Sequence, residues 1–533
     1  NIFAFDSAQQ AYELGFAEWQ KAAETEAVDG LAKTPAPHPF QAFVGGLPSP
    51  DPSQTSSTLA WWIINQLFSG LLQLTAEDGL VPDVAQSWEV LDEGRTYVFH
   101  LRNDVRWSDG QPVMATDFET SWKRVLDPDN DQGLGEILFD IRGAKAFKQR
   151  QLNDPDQLGI QAVDAHTLVV KLESPSSYFL QLMALAVTKP VPRHIVNDHG
   201  SAWTEPEKIV TNGPFTVGSL IPEQLVILER FEDYHGRFKG NLTQVVLKIA
   251  QHSEALAMYE RNELDILYPY EHVPYHEARR FVHHHPDDYF SVPDPAASFL
   301  VLDVTRPPFD NARVRQALTL ATDRETIANR LIKRFDFPAT GGLVPPGIAG
   351  HVPGIALPFD PAAARQKLAE AGFPDGKSLP PVNGLIASYW NSNRLAEYLT
   401  AQWQKYLGLN VSFEAVEGNI WDHLDGDPPN LFFTNWWADY TDPDSFLRLA
   451  NWQASGGWRN ERYEALVEDA RRIADQGQRM ALYRQAEQIL VEEAPIVPLA
   501  YGRLHVLIKP WVQSLPASGI SGNILKDIVM EPH

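Results

Sequence analysis

The sequence predicts an α/β fold divided into two to four domains, and three observations predict it. At 533 residues the chain is longer than a single hydrophobic core can serve. Its first half carries strand-type alternation: Tyr97, Phe99 and Leu101 alternate with Val98, His100 and Arg102. Its second half alternates amphipathic helical segments with short apolar runs, the pattern of mixed sheets covered by helices.

Taken in order, residues 7–29 form a helical pattern, with Ala11, Leu14, Ala17 and Ala22 on one face, and "KTPAPHP" at 33–39 follows as a stiff linker. Residues 59–72, "LAWWIINQLFSGLL", read as a buried helix, and 87–110 as a hairpin followed by a turn. At 114–128 a helix is expected with Thr116 as N-cap and Glu119 three residues on, a capping box. Residues 162–175 read as a strand pair and 210–231 as a turn between strands. Further on, 311–332 is helical. Residues 360–373 start with Pro361 at the first helical position and stop on Gly372. An amphipathic helix at 393–408 leads into the alternating strand "LNVSFEAV"; 460–493 is a helix pair, followed by a terminal strand in "APIVPLAYGRLHVLIKPW".

Composition narrows the function. Lys and Arg total 44 against 69 Asp and Glu, a formal charge of −25, which repels nucleic-acid phosphates and anionic lipid. No run approaches the roughly 20 apolar residues of a membrane span. The chain has no cysteine, which removes thiol catalysis, Cys-ligated zinc and disulfides, and suits an oxidising compartment. It starts at Asn1 without a charged n-region or an apolar h-region, so a signal peptide is expected to be absent or removed.

Enzyme signatures fail on their spacing. There is no G-x-S-x-G elbow. "GFPDGKS" at 372–378 has its glycines one residue too close for a P-loop, and Pro374 removes a needed amide; a helix stop and tight turn is the simpler reading. "HEARRFVHHHP" at 276–286 has Arg280 where H-E-x-x-H needs its second histidine, and neighbouring histidines point in different directions. "DPDNDQG" at 127–133 has Leu138 where a calcium loop needs a bidentate Glu, and reads as a polar turn. No catalytic residue, metal site or cofactor is expected, and the aromatic residues and isolated charges favour ligand capture over catalysis.

Residues 431–446, "LFFTNWWADYTDPDSF", pose the sharpest question. They read as a buried strand ending in two indoles, Trp436 and Trp437, with Asp439 where the apolar run stops. A strand end turning into a loop accounts for Thr441 to Asp444, but not for a carboxylate against an aromatic wall.

"LVPDVAQSWEVLDEGRTYVFHLRNDVRWSDGQPVMATDFETSWKRVLDP", "VTNGPFTV", "RPPFDNARVRQAL", "WWADYTDPDSFL" and "IVPLAYGRLHVLIKPWV" together resemble, in order, the blocks of the bacterial extracellular solute-binding proteins of family 5, the peptide and nickel class, especially its oligopeptide-binding members. The resemblance runs from about Gly46 to the C-terminus; residues 1–40 lie outside it as a helical extension. It implies a type II, cluster C periplasmic-binding-protein fold: lobe I at 41–68, 191–270 and 506–533, an inserted domain at 69–190, lobe II at 271–505, and hinge strands near 267–271 and 503–506. It also implies the site. Asp439 would pair with a peptide's α-ammonium, the strand Asn435 to Trp437 would add the ligand as a further strand, Trp436 and Trp421 would wall side-chain pockets, and Tyr440 would be a further ligand-binding residue. Arg306 stands where the family often has a cation for a short peptide's carboxylate, or is a surface arginine beside Pro307–Pro308. Two positions depart from the family pattern: Ser56 replaces an acid facing the ligand, and Phe433 or Thr434 replaces an arginine before the tryptophan block, so the ligand's C-terminal side is expected to be read differently or not by charge at all.

The resemblance implies a monomeric receptor without enzymatic activity that hands short peptides to the membrane permease of an ABC importer. Its expected place is the periplasm or the outer face of the cytoplasmic membrane, with lipid anchoring left open. The alternatives are the same fold holding an oligosaccharide or metal complex, in which stacked tryptophans serve a sugar equally well, or an accessory subunit that docks through 7–29.

Overall fold

Two strands, Tyr289–Leu302 and Ile496–Ile508, carry the chain between two compact units. One unit comprises the chain up to Val292 together with His505 onward; the other is Pro293–Leu504. The computed structural model describes residues 34–532 except for 269–283 and shorter stretches of one to four residues, 55–56 among them. The expected helix at 7–29 and, of the histidine-rich segment 276–286, His276 and His283 therefore lie outside the described residues.

In the first unit, Phe40–Val44 lies parallel to Gln244–Ile249 and to Ile266–Leu267. Leu225–Arg230 and Phe215–Ile221 extend this sheet in antiparallel fashion. A second, antiparallel sheet runs Ala85–Leu91, Thr96–Leu101, Thr167–Lys171, Ile160–Ala162. The alternation read at 97–102 is realised: Tyr97, Phe99 and Leu101 are buried while Val98 and His100 are half-buried. The helix Ala115–Leu126 buries Phe118, Trp122 and Val125 completely.

That helix starts differently from the sequence expectation. The residue before it is Met114, whose N–H donates to the Asp117 carboxylate at 2.9 Å, while Thr116 lies inside the first turn. Asp117 also accepts from the Trp107 indole at 3.1 Å, so the buried tryptophan fixes which acid closes the helix end. Glu119 instead accepts the Ala162 N–H at 3.0 Å and ties the helix to the sheet. At 127–131 the Lys148 ammonium donates to the Val125, Asp127 and Asn130 carbonyls, so a side-chain cation already fills the turn that mimics a calcium loop.

The second unit is built on strands ordered Val411–Val416, Val382–Ala387, Leu431–Trp437, Tyr289–Leu302 and Ile496–Ile508, with Phe337–Pro338 beside the last. Helices Ala312–Leu320, Pro361–Glu370 and Ser392–Leu407 bury Leu318, Leu368, Leu399 and Trp403 against Leu300, Val382 and Leu431. Burial on this scale, about 1.5–3 kcal/mol per large apolar side chain, is what holds the sheet in register. Pro361 follows the cap Asp360, which accepts from the Ala362 and Ala363 amides, and Gly372 has φ +94°, so the expected start and stop are both present. The Gly376 N–H returns to the Phe373 carbonyl, which makes 373–376, within "GFPDGKS", a tight turn. The single helix expected over 311–332 is broken: Ala312–Leu320 ends, Asp323 caps a new start by accepting from the Thr326 amide and hydroxyl, and a π-turn spans Ile327–Leu331.

Candidate functional site

The strand Leu431–Trp437 pairs along its length with 296–302, Ala296 opposite Trp437 and Ser298 opposite Asn435. Its other edge meets Val382–Ala387 only at Leu431 and Phe432. Among the described residues no strand continues that pairing to Asn435 or Trp437. The Ala438 N–H donates to the Pro295 carbonyl at 2.8 Å, which fixes the phase. Main-chain groups alternate sides along a strand, so Trp436 and Thr434 face 289–302, and Asn435 and Trp437 turn theirs to the open edge.

Side chains alternate as well. Phe432 and Thr434 are buried on one face, with half-buried Trp436 beside them; Trp421 packs edge-on against Phe432, ring centroids 5.5 Å apart. Trp437 projects from the opposite face and is 56% exposed, its indole Nε1–H donating to Asp294 Oδ2 at 3.0 Å. The expected wall thus lies on two faces of one strand.

Asp439 follows this strand and is half-buried. Its N–H donates to the Ser445 hydroxyl at 3.0 Å, so the loop closes on itself directly after the open edge. Beneath it runs a buried polar network. Asp442 meets Arg479 at 2.5 Å, and Asp444 accepts from Tyr440 at 2.6 Å, from Arg448 at 2.5–3.1 Å and from Tyr483 at 3.3 Å. Burial pushes the Asp442 carboxyl upward while Arg479 pulls against it. Arg479 is in turn held above its ordinary range: Asp442 and Tyr483 outweigh its burial. The residues that read as a plain loop, Thr441 to Asp444, are therefore its foundation.

The remaining expected residues are placed as follows. Tyr440 is buried and its side chain supports the loop through Asp444. Arg306 forms an ion pair with Asp303 at 2.6 Å beside Pro307–Pro308. Ser56 lies outside the described residues. In the first unit, Asp51, just before it, is nearly fully buried and accepts from Arg124 at 2.7 Å, the Trp203 indole at 2.8 Å and the Ser53 hydroxyl at 2.8 Å. Burial raises the Asp51 carboxyl, but these donors outweigh it and leave it below the usual range. Among the described residues no cluster of three His, Cys, Asp or Glu side chains is arranged to hold a metal.

Sequence reasoning missed Asp294, Asp442, Asp444 and Arg479. The four-residue spacing of Asp444 and Arg448 carried a signal for one pair; Asp294 becomes visible only once strand register places it beside Trp437.

Comparison with known proteins agrees with this architecture. Among curated relatives, the chain is 32% identical over 485 residues to the probable deoxycholate-binding periplasmic protein YgiS of Escherichia coli (strain K12), covering 87% of this chain and 88% of that one. It is 32% identical over 465 residues to the periplasmic oligopeptide-binding protein OppA of the same organism, covering 84% of each. Its fold matches that of the periplasmic murein tripeptide-binding protein MppA in an unliganded open form, with a TM-score of 0.81, 26% identity, and 94% and 99% of the two chains covered. The family profile described as "Bacterial extracellular solute-binding proteins, family 5 Middle" matches residues 79–458, and the chain belongs to that family.

Proposed function

We propose that this protein captures short peptides for an ABC importer in the periplasm, anchoring the peptide's main chain and its N-terminus. The observation that carries the reading is the strand edge at Asn435 and Trp437, unpaired among the described residues, running directly into Asp439. An extended peptide added to that edge receives main-chain hydrogen bonds that ignore side-chain identity, and its terminal ammonium arrives at the carboxylate. A charge-assisted bond of this kind contributes about 1.5–3 kcal/mol. The names of OppA and MppA, both peptide binders, support the reading. The division into lobe I, an inserted domain at 69–190 and lobe II belongs to the same proposal, as do a permease as transport partner and a role without chemistry of its own.

A second reading has one specific support: a similarly close relative is named for deoxycholate, a rigid apolar acid. Thermal unfolding with tripeptides and with deoxycholate separates the two, because a ligand that binds the native state raises the midpoint. The peptide reading expects a concentration-dependent rise with tripeptides. A rise with deoxycholate alone overturns it.

A further inference from the structure

Trp437 is the most exposed of the large apolar side chains among the described residues, yet its indole is tethered by Asp294 at 3.0 Å. Beneath it the sheet surface is nearly bare. Ala296 lies directly opposite, and Gly502 follows: a Cβ there would fall 2.8 Å from the Ala296 Cβ and 3.2 Å from the Asp294 Cβ, so only glycine fits without a shift. Trp437 is thus tethered at its Nε1 yet exposed beside small residues.

The acid in contact with it is Asp294. Asp336, half-buried, is pushed up to about 7 by burial and by the Asp294 charge, with Arg503 opposing. The Arg503 guanidinium lies over the Phe337 ring, 3.9 Å from its centroid. Asp336 is thus only partly ionised near neutral pH, and Asp294 is the carboxylate that stands against the indole.

We infer that Trp437 and Asp294 form a side-chain subsite for a cationic residue of the bound peptide, lysine or arginine. The inference rests on the peptide reading above. A ligand strand on the open edge directs alternate side chains to the Trp437 face. There a cation gains both the indole's electron-rich face and the Asp294 carboxylate, whereas a neutral side chain gains contact only and an acid meets repulsion.

The test uses the full chain and calorimetry with alanine tripeptides in which each position in turn carries Lys, norleucine or Glu. At one position Lys binds about tenfold tighter than norleucine, and Glu binds most weakly. The Lys-to-norleucine ratio falls toward one in Asp294→Asn and in Trp437→Leu, with Trp437→Phe retaining part of it. Equal binding of Lys and norleucine at every position, while trialanine binds, overturns this subsite and leaves the peptide reading standing. So does a ratio that survives both Asp294→Asn and Trp437→Leu. Binding of no tripeptide overturns the peptide reading and the subsite with it.

Discussion

The Arg479 guanidinium meets the Asp442 carboxylate at 2.5 Å, and neither side chain reaches solvent to any useful extent. Asp442 lies three residues beyond Asp439 in the chain, and Arg479 shares Tyr483 with the Asp444 cluster. It therefore fixes the loop that presents Asp439. A buried pair broken on one side leaves an uncompensated charge, which costs about 3–5 kcal/mol.

Asp442→Ala accordingly lowers stability by that order and Asp442→Asn by less, since the amide oxygen still accepts from Arg479. Thermal unfolding of the unliganded variants measures this. An unchanged midpoint in Asp442→Ala contradicts a structural role for the pair.

Main-chain pairing at the open edge predicts sensitivity to the ligand's own amides. N-methylation of the peptide N–H that meets the Asn435 or Trp437 carbonyl removes a hydrogen bond and adds a clash, weakening binding about tenfold or more. Calorimetry across a series methylated at each amide in turn locates that position. A series with uniform affinity argues against an added strand.

Glu487 gives a pH signature. Burial pushes its carboxyl up to about 7, although the Leu343 and Val344 amides donate to it at 2.8 and 2.9 Å. The folded state thus holds the proton more tightly than the unfolded chain, whose pKa is about 4.3. Stability is full below that value, falls as pH rises toward 7, and is flat above; the loss is on the order of 3 kcal/mol. Glu487→Gln removes this slope, so the difference in unfolding midpoint between pH 5 and pH 8 shrinks in the variant. An identical difference in both proteins contradicts the assignment. Asp336 acts with the same sign and leaves a residual slope.

Much of this was legible in the sequence because it is local. Pro361 with Gly372, and the alternation at 97–102, are patterns set by neighbouring residues, and they hold. The Thr116 cap did not hold because a distant contact, the Trp107 indole on Asp117, favours a different acid. The 311–332 helix breaks because Asp323 competes for the backbone at its own amide neighbours. At the site, the resemblance singled out Asp439 and the tryptophan block, but not what surrounds them. Asp294 is 143 residues from Trp437 in the chain, and Arg479 is 37 from Asp442. Only strand register and helix packing bring such pairs together.

The most direct measurement is calorimetry of a tripeptide and its N-acetylated form on the wild type and on Asp439→Asn. Acetylation removes the ligand's positive charge, so it weakens binding to the wild type by about tenfold or more and changes binding to Asp439→Asn little. Equal losses on acetylation in the two proteins, or no loss in the wild type, contradict the pairing of Asp439 with the peptide ammonium.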